Sequence, residues 1–254
     1  MIISHRGNGF DKFENTLDAL VCAVTAPNVD GVEFDVQLTK DLVPIIFHDE
    51  SFTSRTTDDR QYWDVRVSSV NYSELPRIKP HRINSGEIGV SNTIPTFEEF
   101  VAEIAKLDSV ITAGEKTIYL DIELKECTDE RVKQCYLLTK ASMTTHLKDI
   151  ASISYVFSSY TYSYTVVKFF EKHGEEFLIN ADNFTDVEQF MYPYDAVNCA
   201  LDCKTIRNRR PTVIRMVKAY FTVNDLNVAK FILDKKADSW IITDIPLLLI
   251  SSLG

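Results

Sequence analysis

Short apolar runs rich in β-branched residues alternate along the chain with stretches in which apolar side chains recur at helical spacing. The runs predict strands at Met1 to Ser4, Gly31 to Leu38, Thr117 to Leu124, Ser152 to Ser158, Phe177 to Asn180, Ala196 to Ala200, Ala219 to Val223 and Trp240 to Thr243. Between and after them, helices are expected near Thr16 to Thr25, Thr96 to Leu107, Asp129 to His146, Tyr162 to His173, Val187 to Met191, Val213 to Lys218, Asn224 to Leu233 and Pro246 to Ser252. A strand followed by a helix, repeated about eight times in a chain of this length, is the count of an α/β (β/α)₈ barrel, the TIM barrel. No Gly/Ser linker or low-complexity break divides the chain, so residues 1–254 read as a single domain.

Helix starts carry the expected chemistry. Asn15 precedes Thr16 with Asp18 in the first turn, and Thr96 stands three residues before Glu99, the capping-box spacing. The stretch from Asp49 to Thr93 is irregular and polar, with Pro76, Pro80 and Ser85-Gly86. Loops that long are usually lids or inserted subregions, and this one reads as an insertion after the second barrel strand, at about 49–93.

Composition narrows the function classes. With 27 Lys plus Arg against 37 Asp plus Glu, the chain carries a formal charge of -10, the wrong sign for holding nucleic acid over a broad surface. The five cysteines, Cys22, Cys127, Cys135, Cys199 and Cys203, are an odd number without framework spacing, which reads as reduced thiols, most of them small core residues, in a cytoplasmic protein. No transmembrane segment is expected, since the longest apolar run, Ile245 to Leu253, is far too short to span a bilayer. No basic and apolar leader precedes the first strand.

Candidate chemistry lies in three places. In Gly31 to Leu38, Val32, Phe34, Val36 and Leu38 alternate with Glu33, Asp35 and Gln37, so both carboxylates share one strand face. In a parallel barrel the outer face is covered by helices and should be the apolar one, leaving the two acids inside, where they need a cation or a proton. The connection Thr39-Lys40-Asp41-Leu42 is too short for a parallel crossover, so Pro44 to His48 should fold back antiparallel. If Thr39 pairs with Leu42 across a two-residue turn, His48 lands opposite Glu33. In Thr117 to Lys125 the pattern repeats, with Asp121, Glu123 and Lys125 on one face. The ends of strands one, two and three thus supply His5-Arg6, Glu33-Asp35 and Glu123-Lys125 to the barrel end where such sites are built. Converging carboxylates favour one hard divalent cation, Mg²⁺ or Ca²⁺, over zinc, and Arg6 and Lys125 supply charge to hold a phosphate.

These residues resemble the glycerophosphodiester phosphodiesterases. The resemblance runs through His5-Arg6-Gly7, Glu14-Asn15-Thr16, Gly31-x-Glu33-x-Asp35 on to Asp41, Pro44 to His48-Asp49, Arg55-Thr56-Thr57 and Ile94 to Glu99. It continues through Glu123-Leu124-Lys125, Thr222 to Asp225 and Ile242-Thr243-Asp244-x-Pro246, nearly the whole chain in the family's order. It implies a TIM-barrel phosphodiesterase that cleaves a small-molecule glycerophosphodiester to an alcohol and glycerol 3-phosphate. By motif, Glu33, Asp35 and Glu123 match metal ligands, His5 and His48 the acid/base pair, and Arg6 and Lys125 the phosphate contacts. The family's implied route is attack by the substrate's own glycerol hydroxyl, then opening of a cyclic phosphate by water. Departures are Phe221, where the family usually carries Trp, and Phe13, commonly Pro. They predict altered pocket shape with catalysis retained.

Two rivals remain: a related lipid phosphodiesterase acting on lysophospholipid or phosphatidylglycerol, and a catalytically silent barrel that binds phosphodiesters. An exposed apolar rim at Phe52, Tyr62 and Trp63 would favour lipid, and a closed polar lid the small substrate. The silent barrel is disfavoured because every proposed acid, base and ligand is present. Gly7-Asn8-Gly9 fails as a dinucleotide fingerprint because Lys12 stands where the third Gly belongs. Cys199 and Cys203 lack a second ligand pair for zinc.

Overall fold

In the computed structural model, which describes residues 1–10, 12–79, 93–113, 116–161, 163–181, 198–202, 217–235 and 237–253, each expected strand is present. They are β1 (Ile2–His5), β2 (Gly31–Leu38), β4 (Ile118–Leu124), β5 (Ile153–Ser159), β6 (Phe177–Ala181), β7 (Asn198–Asp202), β8 (Val217–Phe221) and β9 (Trp240–Thr243). A short β3 (Pro44–Ile46) folds back antiparallel on β2, as the brief connection predicts. The parallel strands run in the order β1-β9-β8-β7-β6-β5-β4-β2, and β1 also pairs with β2, placing His5 beside Glu33. The result is an α/β fold around a curled parallel sheet.

Helices α1 (Leu17–Thr25), α2 (Phe97–Lys106), α3 (Asp108–Ala113), α4 (Asp129–His146), α5 (Tyr164–Lys172), α6 (Leu226–Lys235) and α7 (Pro246–Leu253) accompany the strands. Thr16 caps α1 by accepting from the Ala19 amide, and Thr96 with Glu99 completes the capping box of α2. The outer face of β2 buries Val32, Phe34, Val36 and Leu38 under helices that contribute Leu20, Phe97, Phe100 and Val101. Phe34 and Phe100 meet edge to face at 5.0 Å, and burial of each such ring contributes about 1.5–3 kcal/mol. Inside the sheet, Ile3, Val156, Leu178, Ala219, Trp240 and Ile242 form a separate apolar layer. The charged residues of β1, β2 and β4 lie further along the same strands, toward their carboxyl ends, so the interior changes from apolar to ionic along its length.

Three expectations are corrected or left aside. Val217 and Lys218, placed in a helix by the Val213 to Lys218 reading, begin β8, because they pair onto β7 through Cys199 and extend the buried sheet. Residues 213–216 and the expected helix at Val187 to Met191 lie outside the described residues. Of the five cysteines, Cys135 is buried, Cys22 is half-buried and Cys127 is exposed, and the side chains of Cys199 and Cys203 lie outside the described residues.

The chain after β2 contributes a separate small core, Ile45, Phe47, Phe52, Val67, Val70 and Ile94. An isolated antiparallel bridge joins Ser51 to Arg66. Gly31 opens β2 where it pairs with Tyr119, and a Cβ there would stand 1.9 Å from the Tyr119 carbonyl oxygen. Gly31→Ala is therefore expected to cost about 3 kcal/mol, lowering Tm by about 10 °C in a thermal melt. A wild-type melt for that variant would mean that β2 and β4 can separate there without cost.

Candidate active site

Glu33 and Asp35 on β2 and Glu123 on β4 each offer one oxygen within 4.8 Å of the others. Register makes the cluster: Asp35 is the Cα partner of Glu123, and Glu33 that of both His5 and Asp121. Cations enter from the neighbouring strand ends. The Arg6 Nε lies 3.1 Å from Asp35, and its Nη1 donates to Glu14 at 2.9 Å. Lys125 Nζ lies 2.9 Å from Glu123 and 3.7 Å from Asp35. Asn15, at a φ of 55°, turns its Nδ2 to donate to Asp35 at 2.8 Å. Gly7 lets this loop cross α1, since a Cβ would meet the Ala19 backbone at 2.7 Å.

Charge in the cluster is unequally shared. Burial alone would raise Asp35, but Arg6 and Lys125 overcome it and hold its carboxyl at about 2. Glu33 is pushed well above the usual range by burial and then by the charges of Asp35 and Glu123. Glu123 is raised by burial against the pull of Lys125. Burial lifts Asp121 to about 7, although Ser158 Oγ donates to it at 2.7 Å. The site thus has more buried negative charge than its own cations offset, which suits a hard divalent ion.

Both histidines are tethered. His5 Nδ1 lies 2.6 Å from Asp244 Oδ1, and its Nε2 lies 3.8 Å from Glu33. Asp244 also accepts from Asn8 at 2.9 Å and from Asn224 at 2.7 Å. Burial would raise Asp244, but the His5 bond and charge with the Asn224 bond hold it well below the usual range. His48 Nδ1 lies 2.8 Å from Asp49. An ionised carboxylate only accepts, so each Nδ1 carries hydrogen and each Nε2 is left for a ligand.

His48 does not sit opposite Glu33. The Thr39 amide donates to the Val43 carbonyl, the turn has three residues with Leu42 at a φ of 65°, and Gln37 pairs with Ile45. One more turn residue shifts every pairing by one. The ladder ends at Ile46, yet His48 still lines the same cavity as Glu123 and Lys125. All seven residues singled out in the sequence therefore gather at one end of the curled sheet. Sequence reasoning gave no roles to Asp244, Asp49, Asn8 or Asn224. Of these Asp49, Asn224 and Asp244 had a signal, as members of the quoted motifs, and Asn8 had none.

A cavity of about 510 Å³ opens from Glu123, Lys125 and His48 along Arg55, Ser51 and Tyr160. A smaller recess beneath it is shared by His5, Glu33, Asp121, Asn180 and Phe221. Phe221 packs edge to face on Tyr160 at 6.2 Å. Phe52 is fully buried, Tyr62 donates to the Glu74 carbonyl, and Trp63 Nε1 donates to Thr57. Phe52 and Tyr62 belong to the small core around Ile45, whereas Trp63 lies outside it and is exposed, so among the described residues these three rings do not form a continuous apolar rim.

Residues 5–173 match the model of the glycerophosphoryl diester phosphodiesterase family. Human glycerophosphodiester phosphodiesterase 1 is 34% identical over 104 residues, covering 40% of this chain and 29% of that protein. A glycerophosphodiester phosphodiesterase of Caldanaerobacter subterraneus is 32% identical over 125 residues, covering 49% of this chain and 45% of its own length. The chain therefore spans less than half the length of these curated relatives. Among solved structures, an Oleispira antarctica phosphodiesterase in complex with the product sn-glycerol-3-phosphate aligns with a TM-score of 0.71 at 19% identity, over 100% of this chain and 96% of that one. A Parabacteroides distasonis glycerophosphodiester phosphodiesterase aligns with a TM-score of 0.70 at 20% identity, over 100% and 98%. At that identity the likeness supports the fold.

Proposed function

The chain belongs to the glycerophosphoryl diester phosphodiesterase family, and from that premise we propose that it hydrolyses glycerophosphodiesters to an alcohol and glycerol 3-phosphate. The observation that carries this reading is the pair of carboxylate-tethered imidazoles beside a buried three-carboxylate cluster flanked by Arg6 and Lys125. The fold proposed with it is a complete (β/α)₈ barrel, a single domain over 1–254 with an insertion at about 49–93.

Glu33, Asp35 and Glu123 would hold one divalent cation, Mg²⁺ or Ca²⁺, which when bound offsets charge on the phosphate oxygens. Arg6 and Lys125 hold the phosphate in place by charge, and both stay protonated because the neighbouring carboxylates outweigh the effect of burial. One Nε2 takes the proton of the attacking hydroxyl while the other gives a proton to the leaving alkoxide; the tethered Nδ1 atoms keep both rings aimed inward. The burial of Phe52 and the packing of Tyr62 against the same small core favour the small deacylated substrate over a lysolipid, whose tail needs an apolar rim.

The test is release of glycerol phosphate from glycerophosphocholine and glycerophosphoethanolamine by purified protein with Mg²⁺, with Ca²⁺ and with chelator. Turnover with an ion that stops on chelation is expected. Folded protein that turns over lysophospholipid alone would transfer the reading to the lipid enzyme, and no turnover of either class would leave a binding barrel.

A further inference from the structure

The wall of the 510 Å³ cavity is unevenly neutralised. His48 occupies Asp49 at 2.8 Å, Arg66 occupies Glu50 at 2.9 Å, and Lys125 occupies Glu123 at 2.9 Å. Glu126 is bound by Arg131 Nε at 2.5 Å and by the Leu38 amide at 2.6 Å. Each acid on this wall is thus engaged, three of them by an arginine or a lysine. Arg55 is the opposite case: its backbone amide donates to Thr53 Oγ1 at 3.2 Å, but its exposed guanidinium makes no hydrogen bond or ion pair among the described residues, acting on the wall only through the charge by which it helps lower the Asp49 carboxyl. Arg6 and Lys125 are already committed to the reacting end of the site.

Among the described residues, the chemistry that would recognise a positively charged alcohol is also missing. A quaternary ammonium is bound by an open aromatic face beside a free carboxylate. The exposed ring here, Tyr160, already has Lys125 Nζ 5.8 Å from its centroid, and no acid on the wall is free. The hydroxyls of Ser51, Thr53 and Thr161 also line the cavity.

Resting on the phosphodiesterase reading, we infer that Arg55 makes this site select glycerophosphodiesters whose leaving alcohol bears a further anionic group, such as a second phosphodiester, over those with a cationic alcohol. Guanidinium is suited to the task because its planar fork pairs two phosphate oxygens at once.

The test compares kcat/KM for bis(glycerophospho)glycerol with that for glycerophosphocholine, in wild type, Arg55→Ala and Arg55→Glu, at low and high salt, with thermal melts to establish folding. The ratio should favour the anionic substrate by about fivefold or more in wild type at low salt, the scale of a partly exposed ion pair. It should fall in Arg55→Ala, invert in Arg55→Glu, and shrink at high salt because exposed charges are screened. A wild-type ratio at or below one, or an equal ratio in folded Arg55→Glu, overturns the inference while leaving the hydrolase reading intact. Absence of turnover with every diester overturns both.

Discussion

Replacing His5 with alanine is expected to lower kcat on a glycerophosphodiester by about 10² to 10⁴-fold in a protein that still folds. The side chain is only partly buried, at 16% exposure, and its ring lies at the site and outside the apolar layer, so the loss should be chemical. Its Nε2 is the nitrogen turned toward Glu33 and the inner recess, and its Nδ1 is fixed by Asp244. Asp244 acts through His5, so Asp244→Ala should cost less, about 10 to 100-fold, by letting the ring turn and change tautomer. Because the two residues work as one unit, the double variant His5→Ala/Asp244→Ala should be no slower than His5→Ala alone. Single-turnover rates of the three variants decide it. Losses that multiply in the double variant would mean that Asp244 acts on the substrate independently of the ring.

Asp244 also marks where sequence reasoning stops. It stands 239 residues from His5, and only the pairing of β9 with β1 brings the two strand ends side by side. By contrast the carboxylate cluster was legible, because period-two alternation in Gly31 to Leu38 and Thr117 to Lys125 assigns faces without knowledge of the partner strand. The register of β3 was not legible. Leu42 adopts a left-handed conformation that a branched aliphatic residue disfavours, so nothing in its type announced the third turn residue. The start of β8 was blurred for a related reason: Val213 to Lys218 has helical spacing of apolar residues, while pairing with β7 decides that Val217 and Lys218 are strand. Asp121 shared the charged face of β4 with Glu123, yet its separate condition, a carboxyl raised to about 7 by burial although Ser158 donates to it, depends on depth inside the curled sheet, which alternation does not encode.

The unequal charge in the cluster sets a second large effect, on stability against pH. Glu33 and Asp121 have carboxyls raised in the folded protein. Unfolded, each would release its proton near the ordinary range, about 4, so the ion-free fold binds more protons than the unfolded chain above that pH. Its stability should therefore fall as pH rises from about 4 toward 7. Asp35, held at about 2, contributes in the opposite sense: its stabilisation is present above the ordinary aspartate range and is lost as pH falls from that range through about 2. A divalent ion held by Glu33, Asp35 and Glu123 needs them ionised, so binding must expel the Glu33 proton and tightens as pH rises. At about a hundred times its dissociation constant, the ion should raise Tm by about 5 to 10 °C. That gain, read from melts in Mg²⁺ or Ca²⁺ against chelator, should be larger at pH 8 than at pH 5 and should collapse in Glu123→Gln. A gain independent of pH, or one that survives Glu123→Gln, would place the ion elsewhere and remove the three-carboxylate site from the proposed mechanism.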